Sequence, residues 1–309
     1  MGWTRLTWVA MADQPWGFLV LDKPAGLSSH ACVSRVRRAY GLRQVGHGGT
    51  LDPAVTGVLP IAVGPATRLL PYLSGDKTYR GAVQLGLTTS SDDLQGEVLE
   101  RRAVPALNAA ELNAALERFR GAIEQVPPQV SAVHVNGERA YQRVRRGETL
   151  ILAARPVLIQ RLKLLSWDPA SDRLELEVAC SAGTYIRSLA RDLGAVLGCG
   201  GTLASLRRSA ALGFTLEQAV PLEALEQGPP PALLEPLSAL AHLPRQQLNP
   251  EQLSGWRCGR RLAVEPSIAA AASEGQAVVV VTPDGNLAGM ARATADGQLQ
   301  PKLVLEAAG

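Results

Sequence analysis

The chain has 309 residues, a net charge of +3, 46% hydrophobic residues and a mean hydropathy of +0.05, enough apolar surface for a sizeable core and more length than one average domain. No stretch approaches the roughly 18 consecutive apolar residues of a membrane helix, and the N-terminus lacks the basic-then-apolar order of a secretion signal, so a cytoplasmic protein with one large and one small domain is expected. The scattered cysteines Cys32, Cys180, Cys199 and Cys258 form no C-x-x-C pair and sit in no histidine grouping, which argues for buried thiols and against a zinc site or disulfide framework.

In chain order, Gly17 to Lys23 is a short apolar run ended by Pro24 and reads as a strand entering a turn. Ser28 or Ser29 can then cap a helix in which Val33, Val36 and Tyr40 fall at helical spacing, with Arg35, Arg37 and Arg38 elsewhere on the wheel and Gly41 as a stop. A glycine-rich stretch, Gly46 to Gly57, precedes strand signals at Val58 to Val63 and, after Lys77, at Tyr79 to Leu87. Leu112, Ala115, Leu116 and Phe119 mark a helix over Glu111 to Phe119, and strands are expected at Val157 to Leu165 and Leu174 to Ala179. Gly228 to Pro231 reads as a linker followed by a short helix. Beyond about Leu243 the pattern shifts to short strands, Ala277 to Val281 and Leu287 to Ala291 around the turn Pro283 to Asn286, as in a small all-β module.

The densest unusual cluster is Gly46-His47-Gly48-Gly49-Thr50-Leu51-Asp52-Pro53. Glycines permit positive φ and close approach of another chain, and Pro53 biases Asp52 toward an extended backbone. A phosphate-binding P-loop is disfavoured because no Gly-Lys-Ser/Thr opens a helix here. A structural turn and a catalytic carboxylate beside a histidine both remain open on this loop alone. Charge composition does not choose between them. Only Lys23, Lys77, Lys163 and Lys302 among the 31 basic residues are lysine; arginine forks suit phosphate, but a G+C-rich genome produces the same bias, and a net charge of +3 leaves attraction to nucleic acid to local patches.

Taken with Thr56 to Pro60, Asp76-Lys77-Thr78-Tyr79 and Gly183-Thr184-Tyr185-Ile186-Arg187, the loop resembles the ordered motifs of the TruB-type tRNA pseudouridine synthases. The resemblance also takes in Val20 to Gly26, the Pro127 to Gly147 stretch, Leu193-Gly194 and Leu206-Arg207-Arg208, and so covers nearly the whole chain. It implies an α+β fold: a catalytic domain over residues 1–243 with a mixed, mainly antiparallel sheet, flanking helices and a central RNA-binding cleft, and a β-rich PUA-like RNA-binding domain over 244–309. The activity it implies is conversion of uridine 55 in the T-loop of tRNA to pseudouridine, with the base flipped out of its stack. Such an isomerisation oxidises nothing and loses no group, so no cofactor and no metal are expected.

Residue by residue, the resemblance implies Asp52 as the catalytic aspartate, leaving open whether it acts on base or sugar, and Arg187 as the arginine that pairs with it and aims it. Tyr79 is implied to stack on the flipped base, His47 to meet the T-loop near the vacated position, and Tyr185 and Leu206 to line the uracil pocket; Lys23 joins the substrate-binding set. Arg139, Arg143 and Arg145, in an insertion at about 126–150, and Arg208 are the expected RNA-backbone contacts. Val130, His134 and Ala54-Val55 depart from the commoner family residues. The expected partner is the T-arm of tRNA, with no membrane and no obligate protein partner, and the chain is expected to be a monomer. Rival readings are the same chemistry on another RNA uridine, a nucleobase glycosidase that releases free uracil, and a non-catalytic RNA-binding protein.

Overall fold

The computed structural model describes residues 14–305 except 132, 136 and 270–272, and omits the side chains of 135, 139, 141, 145 and 269. Strand β1 (Gly17–Lys23), helix α1 (Ser29–Tyr40), β2 (Val45–His47), β3 (Thr56–Val63) and β4 (Lys77–Leu85) open the chain. A hairpin, β5 (Leu87–Thr89) and β6 (Val98–Arg101), is followed by α2 (Ala109–Glu117) and β7 (Gly121–Gln125). The small unit β8 (His134–Val135), β9 (Glu138–Arg139) and α3 (Ala140–Arg145) leads to β10 (Arg155–Asp168), β11 (Arg173–Cys180), α4 (Ile186–Val196), β12 (Gly201–Ala211), β13 (Phe214–Thr215) and β14 (Val220–Pro221). Beyond it lie β15 (Arg245–Gln247), β16 (Leu262–Ala263), β17 (Ala277–Val281), β18 (Leu287–Ala293) and β19 (Gln298–Val304).

Ten of the strands up to β14 build one sheet, in order β14-β1-β3-β12-β4-β11-β10-β7 with β2 beside β3 and β13 beside β12, while β5 pairs with β6 and β8 with β9 in two-stranded sheets of their own. Only the β1–β14 and β12–β3 pairs are parallel; the other pairs are antiparallel. The fold is therefore α+β with a mixed, mainly antiparallel sheet. Among the described residues no helix is long and apolar enough to cross a membrane.

Both faces of the sheet are covered, which is why β1 reads as an unbroken apolar run rather than an alternation. Leu19 and Leu21 point into a core shared with Cys32, Val33 and Val36 of α1 and Leu189 and Leu193 of α4. Phe18 and Val20 point the other way, into a second core with Val279 and Val281 of β17 and Met290 of β18. The C-terminal strands form a separate five-stranded sheet, β15-β17-β18-β19-β16, whose other face closes on Trp256 with Val278 and Val280. Period-two alternation in β17 thus feeds two cores at once.

Capping settles the helix boundaries. Ser28 is the N-cap of α1, accepting from the Ala31 N–H at 3.1 Å, and Gly41 at φ +65° ends it. Helix α2 starts two residues before the periodicity does because Asn108 and Glu111 form a reciprocal capping box. The expected strand at Tyr79 to Leu87 begins earlier, at Lys77, and stops at Leu85 before Gly86 with φ +75°.

Candidate functional site

Between β2 and β3 the chain forms an open loop whose backbone is held by buried polar side chains. Ser29, 2% exposed, donates its hydroxyl to the Leu51 carbonyl at 3.1 Å and accepts from the Leu51 N–H at 2.8 Å. Lys23, 0% exposed, donates to the carbonyls of Pro24, Leu27 and Pro53 at 2.8, 2.7 and 3.1 Å. Arg208, 1% exposed, donates to the carbonyls of Val58 at 2.7 Å, Gly49 at 3.1 Å and Thr50 at 3.5 Å. The Gly26 N–H adds a second donor to Pro53, and the Val55 N–H closes a turn onto the Asp52 carbonyl. Every residue flanking Asp52 is therefore pinned through its own backbone, while the Asp52 side chain stays 46% exposed.

Glycine at position 57 is a steric requirement. With φ +103°, its β3 backbone lies against β12 so closely that a Cβ would sit 2.1 Å from the Arg208 carbonyl oxygen.

Two expectations need correcting here. Lys23 is not a substrate-binding residue, because all three of its donors are spent on backbone carbonyls beneath the loop. Burial pushes its pKa down, opposed by Cys32 and Asp52. Nor is Arg208 an RNA-backbone contact: its guanidinium is enclosed and committed to carbonyls. Both serve the loop rather than the solvent. Replacing Lys23 with methionine strips the buried donor from the Pro24 and Leu27 carbonyls, Pro53 keeping the Gly26 N–H, and lowers stability by about 3 kcal/mol, measurable as a shift in urea midpoint. A change below about 1 kcal/mol would show that other donors take over.

Asp52 faces the start of α4 across a cleft of about 900 Å³. Arg187 Nη2 lies 3.1 Å from Asp52 Oδ2, and the same nitrogen donates to the Val130 carbonyl at 2.9 Å. Nη1 donates to the Ser91 carbonyl at 3.1 Å and stands 3.7 Å from Asp93 Oδ2. Asp93 is itself fixed by the Ser91 hydroxyl at 2.6 Å and the Gln95 N–H at 3.0 Å. With its side chain 9% exposed, Arg187 presents a guanidinium set by four partners, and a fork so fixed dictates where the facing carboxylate sits.

His47, Tyr79, Tyr185 and Leu206 line this cleft together with Asp52 and Arg187. Tyr79, 7% exposed on β4, stands directly opposite Arg208 in the β4–β12 register. Burial raises the phenol pKa and the neighbouring guanidinium opposes it. Tyr185 caps α4, where buried Gln125 accepts from its N–H at 2.8 Å and donates to its carbonyl at 3.1 Å. In the 126–150 segment, Arg143 is paired with Glu148, and Arg146 with Glu138 and Glu148; pairs this exposed are weak enough to be exchanged for phosphate. The side chains of Arg139 and Arg145 lie outside the described set.

His47 Nδ1 accepts from the Gly49 N–H at 3.3 Å, so the neutral imidazole carries its proton on Nε2. Burial lowers its pKa, and the charges of Arg208 and His30 lower it further. A base whose folded value lies below its ordinary 6.5 costs stability as pH falls, because the unfolded chain takes up the proton first. Between about pH 7.5 and about pH 5.5 the wild-type melting temperature should therefore drop more than that of His47→Gln. Equal drops would refute the assignment.

The sequence reading missed Ser29, Lys77, Asp93 and Gln125. Ser29 could be seen only as a helix cap, a role that falls to Ser28. Lys77, half-buried at the cleft wall, has its pKa lowered by burial and by Arg208. Asp93 and Gln125 sit in no motif, and nothing in the sequence marked them.

The comparisons with known proteins concern the family and the fold. Residues 37–186 match the family model described as TruB family pseudouridylate synthase (N terminal domain). Residues 187–229 match the tRNA pseudouridylate synthase B C-terminal domain, and 244–305 match Pseudouridine synthase II TruB, C-terminal. The chain is 62% identical over 297 residues to the tRNA pseudouridine synthase B of Parasynechococcus marenigrum (strain WH8102), covering 96% of this chain and 100% of that protein. It is 53% identical to the protein of the same name from Prochlorococcus marinus (strain MIT 9313), covering 96% and 99%. Among solved structures, an H/ACA RNP bound to a substrate RNA containing 2′-deoxyuridine superposes with a TM-score of 0.69 at 23% identity, covering 93% of this chain and 84% of that one. A Cbf5-Nop10-Gar1 complex gives 0.67 at 24% identity, covering 90% and 78%. At such identities these two likenesses concern the fold.

Proposed function

The chain belongs to the TruB family of pseudouridylate synthases and is a tRNA-modifying isomerase, and on that premise we propose that it converts uridine 55 of the tRNA T-loop to pseudouridine with Asp52 as the catalytic carboxylate. The observation that carries the assignment is the Arg187–Asp52 pair of 3.1 Å at the floor of the open cleft. In the reaction the C1′–N1 bond breaks, C1′ is rejoined to C5, the C5 proton leaves to solvent and N1 takes up a proton. A cleft of about 900 Å³ admits one extruded nucleotide but no duplex, so the target base must leave its stack.

In this reading the roles follow position. Arg187 aims the Asp52 carboxylate, and the Tyr79 ring and Leu206 side chain flank the uracil so that the detached ring stays in the site. Tyr185 closes the pocket at the head of α4. His47, neutral and presenting Nε2–H, meets the T-loop where the flipped base has left. Arginines of the 126–150 segment supply phosphate attraction, which adds affinity without reading sequence. We also infer that residues 1–243 act as the synthase unit, that 244–309 act as a PUA-like RNA-contact module, and that the chain works as a monomer without a protein partner. The separate five-stranded sheet supports that division.

The test is incubation with an unmodified tRNA transcript carrying tritium at C5 of uridine, with the product mapped by carbodiimide-blocked primer extension. Tritium release with a single stop at position 55 is expected. Release with a stop elsewhere would move the target, and free uracil with an abasic site would make the protein a glycosidase.

A further inference from the structure

Arg208 is a fully buried cation with no acidic partner. Among the described residues no carboxylate lies within ion-pair distance of it, and the group that most favours its charged form is the Tyr79 phenol. A buried charge without a counter-ion is costly unless every donor finds an acceptor. Here its donors go to the carbonyls of Gly49 and Thr50 in the Asp52 loop with Val58 just beyond it, while Arg208 itself stands directly opposite Tyr79 in the β4–β12 register.

We propose that Arg208 is a positioning residue for the isomerisation, holding the Tyr79 ring and the Asp52 loop at a fixed separation through one rigid guanidinium. The proposal rests on the preceding reading, in which Asp52 and Tyr79 act on the same uridine. Asp52 approaches from the β2–β3 loop and Tyr79 from β4, elements joined to each other through β12 and β3. Arg208 stands in that gap on β12, opposite Tyr79 and with its fork on the loop carbonyls, and Gly57 lets the β3 backbone close on Arg208 itself. Lysine, a single point donor, cannot reach all these acceptors. Once that fork is lost the ring and the carboxylate drift independently, and a misplacement of about 1 Å costs on the order of 100-fold in rate.

The experiment is a double-mutant cycle of Arg208→Lys and Tyr79→Phe in the tritium-release assay, with Asp52→Asn run alongside. Expected are a kcat for Arg208→Lys lower by about 100-fold with KM within about threefold, and a Tyr79→Phe effect that shrinks in the Arg208→Lys background. An unchanged kcat, a raised KM alone, which would make Arg208 an RNA contact, or strictly additive effects would each overturn the proposal. Hydrogen exchange in the folded Tyr79→Phe protein gives a second reading should Arg208→Lys not fold. Loss of one hydroxyl on β4 is expected to speed exchange of the Gly49 and Leu51 amides by about tenfold, and no change there refutes the link. Activity in Asp52→Asn would instead overturn the reading of the site while the exchange result still judged the link.

Discussion

Asp52→Asn is expected to abolish tritium release, by roughly 10⁴-fold or more in kcat, while tRNA affinity and melting temperature stay near wild type. The size follows from chemistry and the selectivity from packing. Asparagine matches the carboxylate in shape but has neither its charge nor its ability to act on the base or the sugar. The loop does not depend on that side chain for its conformation, since Leu51 is held by Ser29, Pro53 by Lys23 and Gly26, and Gly49 by Arg208. Among the described residues the protein partner lost is Arg187, which keeps the Val130 and Ser91 carbonyls and Asp93. Asp52→Glu should fall between, because the same charge is carried one methylene too far. A residual rate for Asp52→Asn within tenfold of wild type would remove Asp52 from the mechanism.

Arg187 should give the second-largest effect, and one of a different kind. Arg187→Lys preserves the charge but cannot serve Asp52, Asp93 and two carbonyls together, so kcat is expected to fall by about 10² to 10³-fold with little change in RNA binding. Arg187→Met removes the charge as well and leaves the Asp93 carboxylate, only 21% exposed, facing two orphaned carbonyls. A loss of about 3 kcal/mol in urea unfolding is expected from that variant. Asp93→Asn in the same background should recover part of the loss, because the unpaired charge is then gone. If Arg187→Met were as stable as wild type, the network around Asp93 would be incidental.

Much of the fold was legible where local chemistry repeats. The Gly17 to Lys23 and Ala277 to Val281 runs announce strands buried on both faces, while the α1 stripe of Val33 and Val36 and the alternation of β11 follow the periods of about 3.6 and two that one-sided burial imposes. Strand β12 carried no such signal. Its sequence, Gly201 to Ala211, mixes small residues with Arg207 and Arg208, because it lies mid-sheet with one arginine reaching the Asp22 carboxylate at the surface and the other buried beneath the loop. Helix α4 was likewise unmarked, since its buried face includes Arg187 and Ser188.

Motifs alone were enough for the family, for Asp52 and Arg187 as partners, and for His47, Tyr79, Tyr185 and Leu206 on the cleft wall, but not for Ser29 or Lys77 beside them. Only the folded chain separates the basic residues enclosed beneath the loop from the one that faces the cleft. Lys23, Arg187 and Arg208 are equally cationic on paper, yet two are sealed under the loop and one turns toward Asp52. Burial and donor geometry separate them, and both arise from contacts between residues as far apart as Gly49 and Arg208, which no local pattern records.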